Sequence, residues 1–235
     1  MGHFNQKVLA FRLGDYVAPP QGLPYLHLEN VMRGLDYEDR GVAPEFKIPQ
    51  LIAAAQERAH AQERTAKILA IGCGAGRIVF DIQKACPAVN LVAINKESIE
   101  VDPLTFFRFT HYEPFLGAPL TLEEVEKFLP EFHRNVLLHD VDQGLPFENE
   151  SFDFALVGSQ TLHYLRNEMR AIDEIKRVLR PNAVGRLCHA ARSYCGKELS
   201  ELCGDHPDRY ATASNSLIIM NTAPGISFTE DVESI

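Results

Sequence analysis

The chain has 235 residues, 46% of them hydrophobic, which is enough to bury a core without a disulfide or metal staple. Its 23 Lys and Arg against 32 Asp and Glu give a formal charge of −9, which opposes a phosphate backbone and disfavours nucleic acid as a partner. Five cysteines (Cys73, Cys86, Cys188, Cys195 and Cys203) include no C-x-x-C pair, so they read as reduced thiols of a cytoplasmic protein with no metal site.

Residues 1–47 mix aromatics (Phe4, Phe11, Tyr16, Tyr25, Tyr37) with Pro19, Pro20 and Pro24 and show no period. An arm or lid is expected there, followed by an α/β domain over residues 48–235. The first twenty residues lack the apolar stretch of a signal peptide. No apolar run reaches the ~20 residues of a membrane span, so no membrane partner is expected. Oligomeric state is left open.

Residues 48–65 are rich in Ala, Gln, Glu and Arg, with Pro49 near the start, and predict a helix. Five short apolar runs follow, at 67–72, 90–95, 135–140, 152–158 and 185–190. Each is apolar on both faces, as buried parallel strands are. Helices are predicted between them over 76–86, stopped by Pro87, and over 165–179, stopped by Pro181. A third, over 121–132, opens with the capping box Thr121-x-x-Glu124 and puts Leu122, Val125, Phe128, Leu129 and Phe132 on one side. Residues 97–134 are long for a strand connection and read as an insertion. Its aromatics, Phe106, Phe107, Phe109, His111, Tyr112 and Phe115, are either core or the lining of a substrate lid. Residues 216–221 and 226–230 flank a Pro-Gly turn and predict an antiparallel hairpin. The expected fold is a doubly wound, seven-stranded α/β sheet with helices on both faces.

The most informative segment is ILAIGCGAGR. Gly72, Cys73, Gly74, Ala75 and Gly76 lie between a predicted strand and a predicted helix. Glycine there permits a positive φ and a close backbone approach, and the helix start offers free N–H groups. A tight turn without a ligand would use the same residues. A dinucleotide loop would place its third glycine at position 77, where Arg77 stands, which argues against NAD.

The loop IGCGAGR, the run LVAINKE, the run LPFENESFDFALVGSQTLHYL and the helix EIKRVLRPNAVGRL, in this order, resemble the class I S-adenosylmethionine-dependent methyltransferases. The likeness is to the Rossmann-like small-molecule type called methyltransferase domain 11 or 25, and it covers roughly residues 65–190. It implies S-adenosylmethionine as cofactor, with Gly72, Cys73, Gly74 and Gly76 under its methionine and ribose. It further implies Asn95 at the ribose hydroxyls, Asp140 with Val141 at the adenine amino group, and Ser159 at the edge of the methionine. His163 and Tyr164 follow at the mouth of that site: His163 is the candidate general base, or else packs against the fourth strand's exit with no chemical task, and Tyr164 is the candidate for orienting a small-molecule acceptor. His139 reads as a buried, hydrogen-bonded residue.

Three positions depart from the family pattern. Ala70 stands where an acid two residues before the first glycine is usual, Asn95 where a ribose-binding acid is usual, and Pro181-Asn182-Ala183 where Pro-Gly-Gly is common. Weak cofactor binding is expected, with Asn95→Asp tightening it. The competing reading is a methyltransferase-like protein that binds or scaffolds without catalysis.

Overall fold

The structure is a computed structural model that describes residues 32–39, 42, 44–112, 121–158, 161, 164–188, 209–211 and 217–221. A short helix α1 (Leu35–Glu38) and a 3-10 turn (Pro44–Phe46) lead into helix α2 (Ile48–His60). Then come β1 (Lys67–Ile71), α3 (Arg77–Ala85), β2 (Asn90–Asn95), α4 (Pro103–Tyr112), α5 (Leu122–Asn135) and β3 (Leu137–Leu138). The chain continues through β4 (Phe152–Val157), α6 (Glu168–Val178), β5 (Leu179–Leu187), β6 (Arg209–Ala211) and β7 (Leu217–Met220).

Among the described residues the strands form one seven-stranded sheet in the order β3-β2-β1-β4-β5-β7-β6. The first five are parallel, and β7 runs antiparallel to both β5 and β6. Side chains alternate across β1. Ile68 and Ala70 join a core with α2, α3, α4 and α5, whereas Leu69 and Ile71 join a second core with α6. Both faces of β1 are therefore dry, as its apolar run requires, whereas at the edge of the sheet Leu137 and Leu138 of β3 are exposed, contrary to the buried strand expected over 135–140.

Four boundaries differ from the predicted ones. Helix α2 stops at His60 because Glu63 takes a left-handed φ of 55° and Arg64 is drawn to Asp153 through two contacts of 2.5 Å. The third strand is only Leu137–Leu138, because α5 runs on to Asn135. Helix α6 ends at Val178, and Pro181 does not stop it. Pro181 lies inside β5, where the register against β4 shifts between Phe152 and Phe154. The partner of β7 in the terminal antiparallel pair is β6; the predicted arm 226–230 lies outside the described residues.

The capping box is present. Thr121 Oγ1 accepts from the Glu124 N–H at 3.2 Å, and the Glu124 carboxylate accepts from the Thr121 N–H at 2.8 Å. Val125, Phe128, Leu129 and Phe132 are buried. Phe106 on α4 is fully buried, with its ring 6.2 Å from that of Phe80 and 6.0 Å from that of Phe128. Of the two readings of those aromatics, Phe106 takes the core one. The side chains of Phe109, His111, Tyr112 and Phe115 lie outside the described residues.

Candidate cofactor cleft at the carboxyl edge of the sheet

From β1 the chain winds through β2 to β3, then returns to the other side of β1 with β4. In open α/β sheets a ligand crevice forms at the carboxyl ends of the strands where the winding reverses. The glycine loop lies there. Gly72, Gly74 and Gly76 have φ of 67°, 58° and 92°. Cys73, Ala75 and Gly76 are buried, leaving Gly72 and Gly74 half-exposed.

Protein neighbours account for part of this glycine usage. A Cβ at Gly72 would lie 1.9 Å from Thr161 Oγ1, and a Cβ at Gly76 would lie 2.8 Å from the Phe132 ring. Gly158, at the exit of β4, packs against the backbone of Gly72, where a Cβ would be 2.7 Å from the carbonyl oxygen. Thr161, which the sequence reading passed over, is thus the side chain seated against the loop.

Asn95 is 5% exposed and turns its side chain into the loop. Its Nδ2 donates to the Gly74 carbonyl at 2.7 Å, and its Oδ1 accepts from the Gly74 N–H at 3.1 Å. The Cys73 thiol lies 3.4 Å from the same Oδ1. Burial pushes that thiol up to about 12, so it stays protonated and is no nucleophile at neutral pH. Ala70 is 1% exposed and belongs to the core, two residues before Gly72.

Asp140 follows β3. One of its carboxylate oxygens accepts from the Asp142 N–H at 3.1 Å, and the other pairs with Lys96 Nζ at 2.9 Å. Lys96 first, and then the Asp142 N–H, hold the Asp140 carboxyl below its usual range. Val141 is buried in the second core. His139 Nε2 lies 2.6 Å from the Gly144 carbonyl, the hydrogen bond expected of it, but the residue is half-buried and not buried. Tyr164 is 65% exposed at the exit of β4, and its backbone N–H donates to Thr161. Ser159 and His163 lie outside the described residues.

Thr161 fills the space that a Cβ at Gly72 would enter, and the residues at this edge fit an adenosyl ligand at half-exposed Gly74 and at the ionised Asp140. They do not supply the expected ribose acceptor at Asn95, whose amide is engaged by Gly74 at both ends. Helix α1 borders the same edge. The N–H of Leu35 donates to Asp81 Oδ2 at 3.0 Å, and Asp81 Oδ1 accepts from Arg77 Nε at 2.9 Å. Arg77 is the first residue of α3 and is fully buried. Among the described residues no His, Cys, Asp and Glu cluster is arranged to hold a metal ion, and no helix is long and apolar enough to cross a membrane.

A family model described as methyltransferase domain matches residues 115–186. That span runs from before α5 to the end of β5 and leaves out the glycine loop and β2. Comparison with curated protein sequences returns no match. Among solved structures, the YcgJ protein of Bacillus subtilis is similar at 17% identity over 57% of this chain and 50% of its own, with a TM-score of 0.33. An S-adenosylmethionine-dependent methyltransferase of Thermotoga maritima is similar at 17% identity over 61% of this chain and 54% of its own, with a TM-score of 0.33. The [4+2]-cyclase SpnF is similar at 22% identity over 60% of this chain and 44% of its own, with a TM-score of 0.35. The chain thus spans about half the length of these structures. The match over residues 115–186 and the doubly wound sheet with its glycine loop agree with the resemblance to a methyltransferase domain read from the sequence.

Proposed function

We propose that the chain is an S-adenosylmethionine-dependent methyltransferase acting on a small molecule. One observation carries the reading: Gly72, packed against Gly158 at the exit of β4, and half-exposed Gly74 follow the carboxyl end of β1, where the winding reverses. When bound, the cofactor supplies a methyl group on a sulfonium. The chain's share of the work is alignment and the exclusion of water. The loop would carry the methionine and ribose. Asp140, held ionised by Lys96, would accept from the adenine amino group. His163 would take a proton from the acceptor, and Tyr164 would orient it. The buried free thiols of Cys73, Cys86 and Cys188 accord with a cytoplasmic setting.

A second reading, a methyltransferase-like binding protein without catalysis, draws on Asn95 and Ala70. The first is spent on the loop and the second on the core. Titration calorimetry of the purified chain with S-adenosylmethionine, S-adenosylhomocysteine and NAD separates the readings. Heat with the two adenosyl compounds and none with NAD is expected. No heat with either adenosyl compound at millimolar concentration would transfer the conclusion to the second reading.

A further inference from the structure

At the amino edge of the sheet, the end opposite the glycine loop, three guanidiniums gather around one acid. Arg58 comes from the last turn of α2, Arg64 from the loop that follows, and Arg180 from the start of β5. The acid is Asp153 of β4, whose side chain is 3% exposed. Both of its carboxylate oxygens are engaged. Arg64 donates to each through its two terminal nitrogens, and the Lys67 N–H donates to Oδ2 at 2.8 Å. Arg180 Nε stands 3.6 Å from Oδ1, beyond hydrogen-bond reach, and is buried without a hydrogen-bond partner. Among the described residues, Arg58 reaches the carbonyl of Asp153 and not its carboxylate, with Nη2 at 3.4 Å. Two of the three guanidiniums are therefore short of an acceptor.

Folding alone gives no reason for the surplus, since Arg64 already matches Asp153 in bidentate geometry. Burial lowers the Arg58 pKa first, Asp153 raises it, and the charge of Arg64 lowers it again. The cluster is also open to water. The side chains of Arg64 and Arg180 are 24% and 38% exposed, and an open recess of about 700 Å³ adjoins them, lined by His60, Ala61, Glu63, Arg64 and Thr65. Glu57 beside Arg58 and Glu63 on the recess are exposed, so water screens them more than it screens the half-buried arginines.

From these observations we infer that Arg58, Arg64 and Arg180 form a receptor for the phosphate group of a small molecule. Planar forks converging from three elements suit a tetrahedral anion with several oxygens, whereas the two oxygens of a carboxylate fill a single fork, as Asp153 does. A nucleic-acid backbone would be opposed by the chain's formal charge of −9. The five residues of β1 put roughly 17 Å between this edge and the glycine loop. The site is thus separate from the proposed cofactor cleft and stands whether or not the methyltransferase reading holds.

The test uses inorganic diphosphate on the full chain, against chloride at equal ionic strength so that screening alone produces no difference. Calorimetry should show diphosphate binding. Arg58→Gln and Arg180→Gln should each weaken it roughly ten- to a hundredfold, the range of a charge-assisted hydrogen bond. Both variants keep the pair of Arg64 with Asp153. In chloride they should melt no lower than the unaltered chain, because each removes a poorly answered cation. Lower melting with undiminished binding would give the two arginines a structural role and overturn the inference. Amide NMR of the unaltered chain needs no variant: diphosphate should shift signals of residues 58–67 and around 180. Shifts centred on residues 72–77 would place the anion at the glycine loop and overturn it, as would no binding of diphosphate at all. A single-stranded oligonucleotide that binds more tightly than diphosphate through the same arginines would make this a nucleic-acid face and overturn the small-molecule assignment.

Discussion

Asn95 stands at the end of β2, and its side-chain amide bonds the backbone of Gly74 at both ends. Its place at the end of β2, beside the loop, was legible from LVAIN, because strand ends follow from apolar runs. Its hydrogen bonds were not, since a side-chain amide serves a ribose hydroxyl and a backbone turn equally well. In the structure the amide braces Gly74, donating to its carbonyl and accepting from its N–H. Asn95→Asp would therefore set a carboxylate oxygen against that carbonyl and lose a donor. The expected result is a loss of ~1–3 kcal/mol of stability and weaker cofactor binding, the reverse of the tightening that the sequence suggests. A variant that melts normally and binds more tightly would return Asn95 to the ribose. Lys96 is the neighbouring case. It pairs with Asp140 and is the first cause of that carboxyl's lowered pKa. Lys96→Ala should let the Asp140 carboxyl titrate at higher pH, as read by carbon NMR of the side chain. No movement would mean that the Asp142 N–H alone holds it down.

At the scale of elements, helices with caps were read well and junctions were not. The box at Thr121 declares itself within four residues. The α6–β5 junction depends on contacts made elsewhere, and Pro181 suggested a helix stop when it is a strand residue next to a register shift. Two residues of the EIKRVLRP segment hold that region together. The Glu174 carboxylate accepts from the Leu145 N–H at 2.9 Å and from Arg177 Nε and Nη2 at 2.9 and 2.8 Å. Arg177 in turn donates to the carbonyls of Leu145 and Phe147, both at 2.9 Å. Part of the run that carries the resemblance is therefore a clamp of helix α6 on residues 145–149. Arg177→Ala should cost ~1.5–3 kcal/mol, measured by urea unfolding. The pH dependence has a definite sign. Arg177 first, and the Leu145 N–H after the opposing effect of burial, hold the Glu174 carboxyl below its ordinary value of 4.5. Its stabilisation is complete above that value and is lost as pH falls through the lowered folded one. In Arg177→Ala the folded Glu174 carboxyl returns toward its ordinary value, so the loss of stability on acidification should become shallower, and an unchanged acid limb would assign it to other carboxylates.

At the scale of the molecule, the doubly wound sheet was legible because it needs only the order of apolar runs and a handed crossover rule. The ion pairs that join distant segments were not, because nothing local marks them. Arg186 on β5 is the clearest case. It ties the Asp39 carboxylate and the carbonyls of Glu38 and Phe46 to the carboxyl edge of the sheet. Asp39 also caps helix α2, accepting from the Ile48 N–H at 3.1 and 3.2 Å. One buried guanidinium therefore fixes both the end of α1 and the start of α2 over the edge where the glycine loop lies. Removing one partner of a buried pair costs ~3–5 kcal/mol, because the other charge is left uncompensated. Arg186→Met should lose about that much, as measured by urea unfolding. Amide exchange should rise in residues 35–39 and 44–52 before it rises in β1 or β4, because the clamp acts on those segments and the parallel core does not depend on it. Asp39→Asn alone should be costly too, and the double variant should cost less than the sum of the two, since each single variant leaves the partner's charge buried and uncompensated. Strictly additive losses, or exchange that rises uniformly across the sheet, would mean that the segment carrying α1 is held by its apolar contacts with Met32 and not by this pair.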